Sequence, residues 1–452
     1  MSGGVLVSSS RAWTRDDALS ARAVRLAQVA LWVCTFAIFF ASPVLQMNDS
    51  QYSMLTAESI IHNHTPDLSS YAIKNYQADL PFNTIAGKHA YQLTRTNGRL
   101  LYGFPHGTSL LSLPFVALMD IAGISPATPD RKYNLTGEIV DQKMLAALLM
   151  ASLVIICFQT ALLLLDWRWS AIIALGAGLG TQMWSTASRA MWSNTWEILL
   201  GGLAVIVLLS AIVRRTSVKP ILLATLLSWM FFVRPTGAAS VICVAIFILI
   251  YFRHDFFRFA ITGALWLAAF VGYSLRIFGT LFPFYYQPSR AHSDSLGLGI
   301  FGNLFSPSRG LFVFCPVFAA VLFLVFWHWR QLRSQSLAIV SLMAICLITL
   351  NAASFPVWWG GNCYGPRYLT DAMPWFVLLA ILAIDAMPAA SRTLRSPAVA
   401  VAALLLTISV IMNAYGALSF ETLEWNFKQR PLPAVMFDWT RPQFLAGWIN
   451  ER

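Results

Sequence analysis

The stretch Tyr102-Gly103-Phe104-Pro105-His106-Gly107-Thr108-Ser109-Leu110-Leu111-Ser112-Leu113-Pro114-Phe115-Val116-Ala117-Leu118-Met119-Asp120-Ile121-Ala122-Gly123-Ile124 decides how the chain is laid out. It is long enough to cross a bilayer, yet Pro105, His106, Pro114 and Asp120 interrupt it. If it stays on one side and the amino terminus is inside, the later short loops on the inner face carry Arg168, then Arg214, Arg215 and Lys219, then Arg253 and Arg258, then Arg330 and Arg333, and finally Arg392 and Arg395. If it crosses, all of these basic residues face outward, against the positive-inside rule. The charge pattern therefore makes it a re-entrant or surface-lying helix inside one large outer loop, residues 47–142.

Working outward, uncharged apolar runs fall at roughly 26–46, 143–165, 170–187, 196–213, 219–233, 236–252, 259–275, 311–328, 337–355, 373–388 and 398–417. The expected fold is an all-α polytopic membrane protein with about eleven transmembrane helices. A cytoplasmic leader (1–25) precedes one integral membrane domain (26–417), and an outer-side carboxyl tail (418–452) follows it. Composition agrees. Of 452 residues, 57% are apolar and only 11% charged, against about 25% charged in soluble domains, which excludes a soluble enzyme. Mean hydropathy is +0.63. The net charge of +11 is explained by the inner loops and needs no nucleic acid. The first run reads as an uncleaved signal anchor. Five cysteines, Cys34, Cys157, Cys243, Cys315 and Cys346, lie in apolar runs, and only Cys363 lies in a polar connection, so neither a disulfide framework nor a metal-ligand spacing is present.

Polar and aromatic residues gather on the outer side. Asp49 follows the first run by a few residues, placed for general-base chemistry at the lipid interface, although a hydrated loop aspartate fits the same position. A helix just after it puts Tyr52, Leu55, Ser59 and Ile60 on one face, suited to the membrane surface. Arg189, Arg234, Arg309 and Arg367 all lie at outer run ends or in outer loops, where an arginine serves either a phosphate or lipid headgroups.

These residues fall within short motifs whose order resembles the glycosyltransferase C superfamily, and within it the bacterial relatives of the dolichyl-phosphate-mannose protein mannosyltransferases. The motifs are Asp49 with Gln51-Tyr52 and Ala57-Glu58-Ser59; Phe104-Pro105-His106-Gly107-Thr108-Ser109; Ser188-Arg189-Ala190-Met191-Trp192; Arg234-Pro235-Thr236; Ser306-Pro307-Ser308-Arg309-Gly310; and Gly365-Pro366-Arg367-Tyr368-Leu369. The resemblance implies a multi-pass bacterial inner-membrane enzyme that takes a sugar from a polyprenyl phosphate and transfers it, with inversion, to an acceptor hydroxyl outside the cytoplasm. It implies Asp49 as catalytic base; the leaving phosphate then needs cations, which the four arginines fit by position, and His106, Glu197, Trp359 and Tyr368 are further candidate substrate contacts. It also implies a lipid-linked sugar as substrate and membrane lipids as partners.

Two departures stand out. Many relatives carry a second acid where this chain has Asn194, with Glu197 a helical turn further on, and Asp49 is flanked by Asn48 and Ser50 rather than by another acid. Both argue against a metal bridging two carboxylates, and His62, His64, His89 and His106 lack the spacing of a metal site. Neither metal nor diffusible cofactor is expected. Trp358 and Trp359 wall a substrate or belong to the interfacial belt. Rival functions are a lipid-linked glycan transporter, in which Arg234, Glu197 and Asp385 would converge at mid-depth, and a non-catalytic assembly subunit, which would lack a closed cavity around Asp49.

Overall fold

The computed structural model describes residues 15–73, 91–290, 292–293, 295–429 and 432–449; the first part of the leader and His89 lie outside them. In chain order the helices and strands are α1 (Arg15–Ala41), α2 (Ser53–Asn63), β1 (Leu93–Thr96), β2 (Arg99–Tyr102), α3 (Gly107–Ile121), α4 (Leu135–Ala161), α5 (Trp167–Leu179), α6 (Ser193–Arg214), α7 (Pro220–Val233), α8 (Gly237–Tyr251) and α9 (Arg253–Phe278). They continue with α10 (Leu296–Phe305), α11 (Leu311–Phe314), α12 (Val317–Trp327), α13 (Gln335–Ala353), α14 (Met373–Ala386), α15 (Pro397–Leu418), α16 (Glu421–Lys428) and α17 (Leu432–Val435). The chain is thus mostly helical, but not wholly: β1 and β2 form an antiparallel hairpin that pairs Leu93 with Tyr102.

Each of the eleven apolar runs forms a helix, and seven helical segments among the described residues are long and apolar enough to cross a membrane: 22–41, 135–161, 193–214, 253–278, 335–353, 367–386 and 397–418. This is the pattern of an α-helical membrane protein. The other four runs depart from the expected count. At about 1.5 Å per residue, α5, α7, α8 and α12 fall short of a hydrocarbon core about 30 Å thick. Local sequence explains each break. A π-helical turn at Met183–Ala187 follows α5, Arg234-Pro235 separates α7 from α8, and Pro316 starts α12 after Cys315.

Starts are capped as their sequences suggest. Asn134 Oδ1 accepts from Gly137 N at α4, Asp166 Oδ1 from Arg168 N and Trp169 N at α5, and Ser334 Oγ from Leu337 N at α13. The main core runs through α1, α4, α5, α6, α7, α8, α12, α13 and α14, with Leu153, Phe158, Leu208, Leu227, Trp375 and Leu382 among its buried residues.

The large outer loop supplies a separate small core of Tyr52, Leu55, Leu68, Tyr71, Leu93, Leu100 and Tyr102. This corrects the expectation for α2, whose Tyr52 and Leu55 face is covered by the hairpin and its neighbours instead of lying on the membrane. The reason is its anchor: Glu138 of α4 accepts hydrogen bonds from Met54 N and Leu55 N, both at 3.0 Å, holding the start of α2 against the bundle. The tail likewise folds back on the protein, where Trp425, Met436 and Ala446 pack with Trp358.

Candidate functional site

The segment between α1 and α2 is fixed at both ends. Arg189 donates to the carbonyls of Phe39 and Ser42 (the latter at 2.9 Å), meeting the free acceptors at the end of α1. Gln46 Nε2 donates to Ser185 O (2.9 Å), and Gln46 N to Arg189 O (3.3 Å). Tyr52, at the start of α2, has a left-handed backbone (φ 73°) and is held there by burial against Tyr133, ring centroids 4.7 Å apart. Such strain in a bulky residue costs about 1–3 kcal/mol and survives only where the surroundings dictate it.

Asp49 lies between these anchors. Tyr102 Oη donates to its backbone carbonyl (2.6 Å), Tyr91 Oη to its Oδ1 (2.8 Å), and Arg367 Nη2 lies 2.5 Å from its Oδ2. The Asp49 side chain keeps 23% of its accessible surface and Arg367 only 6%, so the carboxylate is the reachable member of the pair. The guanidinium lies over the Trp192 ring, 3.6 Å from its centroid. Nη1 donates to Gly360 O at 3.2 Å. The cavity here, lined by Asp49, Ser50, Thr108, Trp192 and Arg367 among others, is only about 10 Å³, room for about one water. Among the described residues, the buried donors Arg367 Nε, Trp192 Nε1, Ser50 Oγ and Thr108 Oγ1 have no hydrogen-bond partner. Unmet buried donors around a cation favour an anionic, oxygen-rich ligand.

A second charge group lies close behind. Arg234 Nε is 2.7 Å from Asp371 Oδ2 and 3.4 Å from Glu197 Oε2. Thr236 Oγ1 donates to Asp371 Oδ2 (2.8 Å), and Asn194 Nδ2 to Asp371 Oδ1 (2.7 Å) and to the Arg367 carbonyl (3.3 Å). Tyr368 stands between the two groups, its ring centroid 5.7 Å from both the Arg234 and the Arg367 guanidinium carbons. Asp371 escaped the sequence reading. It lies four residues beyond Arg367 at the start of an apolar run, and an acid in that setting was the available signal. In space its carboxylate sits directly against the Asn194 amide.

The remaining candidates lie apart from Asp49. Arg189 is spent on α1. Arg309 uses its donors on Trp359 O, Ser308 O, Gly361 O, Gln443 Oε1 and Asn426 Oδ1, all uncharged acceptors that tie the tail to the Trp359–Gly361 turn. Arg367 grips the same turn from its other side through Gly360 O. Gly360 and Gly361 have φ of 77° and 73°, a bend that other residues adopt only with strain. The Trp359 ring is edge-on to Trp358. Both nitrogens of buried His106 are engaged, Nδ1 with Tyr273 Oη (2.7 Å) and Nε2 with Tyr102 O (2.8 Å), and burial pulls its pKa down to about 4. It is therefore neutral, with Nε2–H donating to the carbonyl and Nδ1 accepting from the phenol. His106 also lines an aromatic cavity of about 130 Å³, which shares Phe104, Pro105 and Tyr285 with the Asp49 cavity. Among the described residues no group of three or more His, Cys, Asp or Glu is arranged to hold a metal ion.

No family model matches the chain, and no curated protein or solved structure matches it.

Proposed function

We propose that the chain is an inverting glycosyltransferase of the bacterial inner membrane, moving a sugar from a polyprenyl phosphate to an acceptor hydroxyl on the outer face. In this reading all eleven apolar runs lie at membrane depth with the amino terminus inside. One observation carries the proposal: a partly exposed carboxylate, Asp49, is paired with a buried arginine whose Nε–H is unmet and which is ringed by further unmet donors.

The reaction follows from those groups. The acceptor oxygen forms a bond to the anomeric carbon while its proton passes to Asp49. The bond from that carbon to the phosphate oxygen breaks, its electron pair leaves with the polyprenyl phosphate, and Arg367 meets the charge. Attack and departure on opposite faces invert the anomeric centre. As they stand Asp49 and Arg367 neutralise each other, so donor phosphate must take over Arg367 before Asp49 is free to act. The aromatic cavity beside Phe104 and Tyr285 suits the first isoprene units.

The transporter alternative finds less support. Arg234 and Glu197 meet near the outer end of α14, while Asp385 pairs with Arg333 (3.0 Å), about 20 Å further along the chain at the helical rise.

Transfer of labelled sugar from synthetic polyprenyl phosphate donors to an envelope extract by purified protein tests the proposal. Asp49→Asn should reduce transfer about 10²–10⁴-fold. Undiminished transfer removes Asp49 from the mechanism, and a strict need for a divalent metal overturns the metal-free chemistry.

A further inference from the structure

At the end of the bundle opposite Asp49, α5, α12, α14 and α15 line a half-open cavity of about 780 Å³. Its place is fixed by α5, which starts at its rim and leads to the Met183–Ala187 turn beside Gln46, and by α14, which starts beside Arg367 and ends near Arg392. Gly176 of α5 touches α15, where an added Cβ would lie 3.2 Å from Leu406. The lining mixes large apolar residues such as Phe318, Phe376 and Leu406 with small ones, Ala380 and Ala383 on α14 and Ala402 and Ala403 on α15.

The walls are apolar and the rim is basic. Arg168 is exposed, stacks over Trp167 (5.6 Å), and has no carboxylate partner among the described residues. Arg392 spends Nε and Nη2 on the carbonyls of Met387 (3.1 Å) and Asp385 (2.7 Å) and has no carboxylate partner among the described residues. The one rim acid, Asp166, has its Oδ1 committed to the amides that open α5. The volume falls within the ~300–1,000 Å³ of small-ligand sites.

We propose that this cavity is a second lipid site, holding one anionic diacyl phospholipid from the leaflet at the basic face, with its chains among Ile173, Val321, Ala380 and Ala403 and its phosphate between Arg168 and Arg392. Basic pockets between membrane helices recognise lipid headgroups in this way. The site is independent of the proposed sugar transfer.

The test is native mass spectrometry of the full-length protein in detergent, supplied with phosphatidylglycerol and phosphatidylethanolamine of matched chains. One phosphatidylglycerol should be retained in preference to phosphatidylethanolamine, and Arg168→Gln, a change at an exposed position, should weaken its retention about fivefold. Ala403→Phe, which puts a ring among the proposed chain positions but keeps the rim, should weaken retention several-fold. Equal retention of the two lipids, or indifference to Arg168→Gln, overturns the proposal, as does undiminished retention by a folded Ala403→Phe variant. Competition by glycerol phosphate would make this a soluble-phosphate site, and preferential uptake of polyprenyl phosphate would make it a carrier site; either result also overturns the proposal. Should Ala403→Phe fail to fold, the Arg168 arm still decides.

Discussion

Asp371 is buried with one cation, Arg234, and a second acid, Glu197, around it, so its removal has a calculable cost. In Asp371→Asn the 2.7 Å contact to Arg234 Nε loses its charge, and the single amide oxygen can accept either from Arg234 and Thr236 or from Asn194, not from both sides. Breaking a buried pair by removing one partner costs about 3–5 kcal/mol. Glu197, only 3.4 Å from Arg234, remains as a second carboxyl group that can take up the charge once Asp371 is gone, which places Asp371→Asn near the lower end, about 3 kcal/mol. Arg234→Gln leaves Glu197 and Asp371 around one Thr236 hydroxyl with no cation and belongs near the upper end, about 5 kcal/mol. In the double variant the uncompensated Asp371 and Arg234 charges are both gone, so the loss should undercut the sum of the singles by about 2 kcal/mol. Denaturant titration of purified protein in detergent, read by protease resistance, measures all three. Single losses below about 1 kcal/mol, or additivity within about 0.5 kcal/mol, would refute the reasoning. Because Asn194 links Asp371 to the Arg367 carbonyl, Asp371→Asn should also lower transfer.

The pH response of His106 has a defined sign. Its native pKa is held by burial at about 4, below its ordinary 6.5, so acidification protonates the unfolded chain first; stability falls as pH drops through that window, by about 3 kcal/mol in full, and His106→Gln should flatten this slope in melts between pH 7 and 4. Gly360→Ala places a Cβ 3.3 Å from Cys363 Sγ at φ 77°, straining the turn whose carbonyl holds Arg367. It should depress transfer, whereas Gly98→Ala, with equal backbone strain (φ 76°) and open space around it, should not. A reporter fused near Pro129 should appear outside the cytoplasm, and an inside result would mean that the 102–124 stretch crosses.

The apolar runs were legible because burial in protein or lipid imposes the same composition, and all eleven became helices. Their lengths were less legible, since Pro316 and the π-helical turn divide runs that hydropathy averages together, and the two runs that meet at Arg234-Pro235 are each short. The decisive stretch itself divides: its first residue ends β2, and α3 begins only at Gly107, where an added Cβ would lie 2.3 Å from Phe232 O. Asp49 and Arg367 were each visible from their surroundings, but not their pairing across 318 residues, because a neutralised pair leaves no mark on local sequence. The arginines show this limit most clearly. Sequence places four cations at one face without saying where their N–H groups go. Arg189 and Arg309 satisfy uncharged acceptors and are fixed in place by them, and Arg234 is outnumbered by carboxylates. Arg367 alone among the four combines one anionic partner with an unmet buried N–H. In the proposed reaction a single incoming phosphate therefore has one guanidinium to claim, and claiming it releases Asp49. Donor binding and activation of the base become one event, so an acceptor that reaches Asp49 before the donor meets a carboxylate still held by Arg367.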